Sequence, residues 1–184
     1  MHATGTPARN QTETETEMKH PYFLTPDQAR DAFIAFTMPA IRSGLDGGHV
    51  GGTALYLLTL DPTVPYSEGA ELPILFEWYS SDKADWPDWD GKKFDDFAKA
   101  KAMISWRTGK ASREVALMQP YLLQTGDTSL WGSDVTNGFI SAASGVEPNF
   151  DEMFSRIQNA AMIAESHHYA EKFAQQGEEK PDWF

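Results

Sequence analysis

The sequence predicts an α+β domain in which helices cover an antiparallel sheet. Three observations point there. Strand-like runs come in pairs around turn residues. Amphipathic helical stripes separate those pairs. The 184 residues, 41% hydrophobic and 12% aromatic, suit one domain with one packed core. Residues 1–21 read as a flexible Thr/Glu-rich tail, 22–176 as the single domain, and 177–184 as a polar C-terminal tail ending in Trp183-Phe184.

The first helix begins at Leu24-Thr25-Pro26-Asp27. Thr25 suits the N-cap and Pro26 the first helical position, and Ala29, Phe33, Phe36 and Ala40 form an apolar stripe. Pro39 is expected to kink or shorten this helix. A five-glycine stretch from Gly44 to Gly52, containing His49, follows it.

Two strands come next. The run 53–60 (TALYLLTL) is continuously apolar, which predicts burial of both faces. The run 72–79 (LPILFEWY) alternates, so Ile74, Phe76 and Trp78 are expected on one face. A polar loop with two tryptophans leads to a second helix over 93–108, stopped by Gly109. Residues 116–123 fit either a short helix or a loop. The runs 130–135 and 139–146 read as an antiparallel pair around Thr136-Asn137-Gly138. A third helix follows, with Asn149 expected as its cap and Phe150, Met153, Phe154, Ile157, Ala161 and Ala164 as its buried stripe.

Composition excludes several function classes. A net charge of −12 with no Lys/Arg run argues against a nucleic-acid partner. With no cysteine, disulfides, zinc–thiolate sites and thiol nucleophiles are ruled out. No membrane-length apolar run and no signal-peptide core occur in the sequence, so a cytoplasmic protein without a membrane partner is expected. Nucleotide-binding glycine motifs, the G-x-S-x-G elbow and H-E-x-x-H do not occur. The Asp85–Gly91 loop does not make a calcium site, because alignment on Gly91 puts Trp86 and Phe97 at ligand positions. No metal site is expected, and no catalytic residue is assigned.

The informative residue is Lys101. It interrupts the stripe of Phe94, Phe97, Ala98 and Ile104 on the second helix. A lysine there either snorkels to water or meets a negative group. The expected partner is a ligand carboxylate or a protein carboxylate such as Asp151, with Arg107 and Arg113 nearby to join it. His168 continues the stripe of the last helix, which suits a core or interface histidine, or an imidazole acting as a haem axial ligand or acid/base group. His49 and His20 are weaker instances of the same choice. Phe76, Trp78, Trp86, Trp89, Trp106 and Trp131 are ordinary core aromatics or pocket walls.

Several segments resemble the GlcG/HbpS-like family of haem-binding (haem-degrading) proteins. Ala98-Lys99-Ala100-Lys101-Ala102 resembles its A-x-x-K-A segment, and the run from Asn137 to Val146 its late strand with small residues around Ser144-Gly145. Asp151-Glu152 resembles the acidic start of its final helix, and Leu24 to Ala29 its opening helix. The resemblance implies a profilin-like α/β/α sandwich, homo-oligomers, and a site for haem or a related planar ligand. The ligand-binding residues expected on these grounds are Lys101, Arg107, His168, His49, Trp78, Ser144 and Gly145, with His168 or His49 on the iron if haem binds. The alternative is a cofactor-independent lyase or hydrolase acting on a small aromatic or carboxylate substrate.

Overall fold

The computed structural model describes residues 23–176. The expected terminal tails, His20 and the Trp183-Phe184 pair lie outside the described residues.

Helix α1 (Pro26–Ala32) opens with the expected capping box: the Thr25 hydroxyl accepts the Gln28 N–H, and the Gln28 side chain accepts the Thr25 N–H. Pro39 neither ends nor shortens the rod. A π-helical turn, Phe33–Thr37, links α1 directly to α2 (Met38–Asp46). The Met38 N–H reaches back five residues to the Phe33 carbonyl. This widening places Pro39 in the first turn of a new α segment, where its missing N–H is tolerated.

Four strands form one antiparallel sheet in the order β2-β1-β4-β3: β1 (Tyr56–Leu60), β2 (Ile74–Tyr79), β3 (Ser133–Thr136) and β4 (Phe139–Ser144). The β3–β4 turn is the one expected from sequence. Thr136 pairs with Phe139, and Asn137 (φ 50) and Gly138 (φ 83) both sit in the left-handed region. Strand β1 is buried along its whole length, because helices cover both sheet faces. Tyr56, Leu58, Leu60 and Ala142 pack against helix α3 (Phe94–Thr108) on one face. Leu55, Leu57 and Ala143 pack with Phe33, Ile41 and Phe154 on the other. The protein is therefore an α+β fold in which helices cover both faces of an antiparallel sheet, the arrangement the sequence pattern predicts.

Two face assignments change. A bulge opposite Thr59 and Leu60 makes Leu75 an extra residue in β2. It splits the expected Ile74/Phe76/Trp78 row: Ile74 turns to the α3 face, whereas Phe76 and Trp78 stack on Phe33. The last helix, α5 (Pro148–Gln176), starts at Pro148, so Asn149 lies inside it and Glu147 precedes it. Its buried side carries Phe154 and Met162 but also Ser155, Gln158 and Asn159. Most of these polar groups find partners inside: Thr37 donates to Gln158 Oε1 (2.6 Å), and Ser141 donates to Asn159 (2.8 Å), whereas Gln158 Nε2 is buried with no hydrogen-bond partner among the described residues. Met153 and Ala164 of the predicted stripe face solvent instead. Residues 112–122 form helix α4 (Ser112–Met118) and a 3₁₀ turn, which resolves the helix-or-loop alternative. Among the described residues, no helix is long and apolar enough to cross a membrane.

Candidate functional site

Helix α3 carries the site. It is stopped by Gly109 in the left-handed conformation (φ 68), which accords with the sequence reading. Its stripe buries Ala98, Ala102, Ile104 and Ser105 against the sheet, and Lys101 falls in line with them. Lys101 is 1% exposed, too deep to snorkel. Its Nζ donates to the Ala143 carbonyl (2.8 Å) and to Asp151 Oδ2 (2.8 Å). Asp151 is 2% exposed, in the first turn of α5. The expected contact between Lys101 and a protein carboxylate is therefore made by Asp151. Together the two side chains tie α3, β4 and α5.

The pair is electrostatically poised. Burial pushes the Lys101 ammonium below the ordinary lysine range, although the charge and hydrogen bond of Asp151 oppose the shift. Burial likewise pushes the Asp151 carboxyl above its ordinary range against the pull of Lys101. Each group is driven toward its neutral form while its partner holds it charged.

Two glycines make the arrangement possible. Gly132 has φ +151, and a Cβ there would sit 2.6 Å from Asp151 Cβ and 2.9 Å from Lys101 Nζ. Gly145 has φ +145, and a Cβ there would sit 2.2 Å from the Ala54 carbonyl oxygen. The small-residue run thus admits another backbone close to the strand.

The pair lines a cleft of about 370 Å³, together with Ser144, Gly145 and Val146 at the end of β4. Trp89, Phe94, Phe97, Leu130 and Pro148 complete the walls. Such a volume, apolar walls and one convergent polar point are the usual properties of a small-molecule site.

Of the expected site residues, the cleft gathers Lys101, Ser144 and Gly145. Arg107 is elsewhere. Six residues along a helix turn a side chain about 120° away from Lys101, and Arg107 instead binds Asp127 and the Leu122 carbonyl, fastening the loop after α4. Arg113, half exposed, pairs with the buried Glu152 carboxylate. Trp78 packs on Phe33 across the sheet from the cleft, with ring centroids 4.9 Å apart. His49 is exposed in the glycine-rich loop, and His168 is exposed late in α5 beyond the part of the helix that packs on the sheet. Neither is a core residue, which corrects that reading of His168. Of the aromatics named from sequence as pocket walls, Trp89 lines the cleft. Trp86 is core, and the Trp106 indole donates to the Val64 carbonyl. Leu130, Val146 and Pro148 are not among the site residues expected from sequence; Leu130 and Val146 are ends of the strand runs 130–135 and 139–146 that the structure leaves outside β3 and β4, and Pro148 opens α5.

A bound haem would need an axial ligand such as imidazole, phenolate, thiolate or thioether. None of the cleft-lining side chains is a His, Tyr, Cys or Met, so these residues do not fit haem iron at this position. Among the described residues, no cluster of three or more His, Asp or Glu suitable for a metal ion occurs. Comparison with known proteins finds no matching family model, no matching curated protein and no matching solved structure.

Proposed function

We propose that the protein binds a small, planar, largely apolar molecule in the α3–α5 cleft, with one uncharged polar group directed at Lys101 and Asp151. The observation that supports this reading is the buried ion pair at the wall of an otherwise aromatic and aliphatic cleft. The uncharged group follows from the pairing. Asp151 already neutralises the Lys101 ammonium, so a ligand carboxylate would meet repulsion as well as attraction. A carbonyl or hydroxyl has no such conflict. It can accept the third N–H of the ammonium or donate to the carboxylate.

Intrinsic tryptophan fluorescence tests this, because Trp89 lines the cleft. Titration with benzyl alcohol is expected to quench the emission saturably, and Lys101→Met to weaken the apparent affinity at least tenfold. Benzoate is expected to bind more weakly than benzyl alcohol. Tighter binding of benzoate would reverse the charge argument, and no saturable quenching by either compound would remove the cleft as a site of this kind. Haem is tested by the same titration followed in absorbance, with a His49→Ala/His168→Ala variant. A Soret shift lost in that variant would place haem on those exposed histidines, away from the cleft.

The same proposal includes self-association. Ile34 and Phe36 on one side and Leu117, Met118 and Tyr121 on another are exposed apolar side chains that a second copy would cover. Sedimentation velocity at micromolar concentration is expected to show an oligomer, and a lone monomer species would reject it.

A further inference from the structure

Lys101 is more than an anchor for a polar group. Among the described residues it is the one buried lysine, and it lies on a cleft wall beside an acid able to exchange a proton with it. A purely structural tie between α3 and α5 does not require either feature. A buried ion pair is often no more stabilising than apolar side chains of the same volume, and a tie has no need to line a cavity. A lysine in an apolar cleft next to a proton carrier matches the requirements of an amine nucleophile.

We propose that Lys101 forms an imine with an aldehyde or ketone held in the cleft, with Asp151 carrying the protons. This rests on the small-molecule reading of the cleft. The ammonium first passes one proton to Asp151, leaving a neutral amine and a carboxylic acid 2.8 Å apart. The amine lone pair attacks the carbonyl carbon, a C–N bond forms, and the carbonyl π pair moves to oxygen. That oxygen takes the proton from Asp151. Asp151 then removes a proton from the nitrogen, giving a neutral carbinolamine, and returns it to the hydroxyl. The hydroxyl leaves as water while the nitrogen lone pair closes the C=N bond. The balance is ammonium plus carbonyl to iminium plus water, with the Asp151 carboxylate regenerated and nothing oxidised or reduced. Burial favours the first proton transfer in both partners and shields the iminium from bulk water. The aromatic walls suit an aryl aldehyde or ketone.

The test uses the full chain, benzaldehyde and sodium cyanoborohydride, which reduces an iminium to a stable secondary amine, with peptide mass spectrometry to place the adduct. Solvent access alone would favour exposed lysines such as Lys99, whose side chain is 41% exposed. The expected result is the reverse: adduct on Lys101 at least tenfold above that on Lys99 at limiting benzaldehyde. Asp151→Asn should bring Lys101 down to the level of Lys99 or below. If that variant does not fold, the ratio of the two lysines in the wild type still decides. Saturable benzyl alcohol quenching without a Lys101 adduct would overturn the imine and leave the binding reading intact. Absence of both would overturn the binding reading and the imine with it.

Discussion

Asp95 and Asp151 are both buried carboxylates that face lysine, yet they are driven in opposite directions. Asp95, in the first turn of α3, binds Lys83 and Lys99, whose side chains are 54% and 41% exposed. Burial pushes its carboxyl up, but the hydrogen bond and charge of Lys83, followed by those of Lys99, outweigh this and hold it below the ordinary range. Asp151 binds one lysine that is itself 1% exposed. There burial dominates and the carboxyl is pushed up. The hydration of the partner separates the two cases. Lys83 and Lys99 keep their stems and much of their solvation outside, whereas Lys101 is stripped of water together with the acid it meets. A surface-anchored pair stays ionised. In a pair buried on both sides, burial pushes each member toward its neutral form.

The largest consequence concerns removal of one partner. Asp151→Ala leaves Lys101 buried without its counter-charge and is expected to lower unfolding stability by about 3–5 kcal/mol. Asp95→Ala exposes Lys83 and Lys99 to water they already share, and should cost about 1 kcal/mol or less. Urea denaturation measures both, and equal losses would erase the distinction. Lys101→Met combined with Asp151→Leu should recover more than half of the Asp151→Ala loss, because an apolar pair leaves no buried charge.

A smaller effect is expected at Gly132. Its φ of +151 is unfavourable for a side chain, and the added methyl would press on Asp151 and Lys101. Gly132→Ala should cost roughly 1–3 kcal/mol and shift the tryptophan emission of the cleft. The strain cannot be relieved cheaply. The Gly132 carbonyl accepts from Ser155 Oγ (2.6 Å) and from the Ala143 N–H (3.0 Å). Unchanged stability would show that the backbone here adapts more freely than these contacts allow.

Much of this arrangement is legible in the sequence, for stated reasons. Lys101 stands out because a lysine interrupts the apolar spacing of Phe94, Ala98 and Ile104. Asp151 stands out as an acid at a helix start. The turn Asn137-Gly138 and the stop at Gly109 follow from backbone conformations those residues favour. What escapes the sequence depends on tertiary context. Arg107 is near Lys101 along the chain but about 120° away around the helix. The buried side of α5 is partly polar, since Gln158 and Asn159 find Thr37, Ser141 and Asp134 inside; the hydrophobic stripe therefore gives only part of it, with Phe154 and Ala161 buried and Phe150 and Ile157 packed on the core, but Met153 and Ala164 exposed. The bulge at Leu75 reverses the Ile74 side chain with no turn residue to announce it. Trp89 reaches the cleft from the polar loop before α3, and Leu130 from residues that the sequence reads as strand but the structure leaves outside β3.

The smallest effects are in pH dependence, and their signs oppose. Asp95 has a lowered folded pKa, so its contribution to stability is present above the ordinary value of 3.8 and is lost as pH falls through the lowered value. Asp151 has a raised folded pKa, so its own contribution is full below 3.8 and declines as pH rises through the raised value. In denaturant melts across pH, Asp95→Asn should flatten the acid limb, and Asp151→Asn should remove the decline above it. If Asp151→Asn instead flattened the acid limb, the sign assigned to Asp151 would be wrong.

Carboxyl-carbon NMR of selectively labelled aspartate, followed through a pH titration, tests the central claim most directly, because it observes both acids in one molecule without any ligand. The account predicts that the resonance missing from Asp151→Asn titrates above 3.8 and the one missing from Asp95→Asn titrates below 3.8. An Asp151 resonance that titrates below 3.8, alongside Asp95, would contradict it. Lys101–Asp151 would then be a permanently ionised structural pair, and the cleft would have no proton to move.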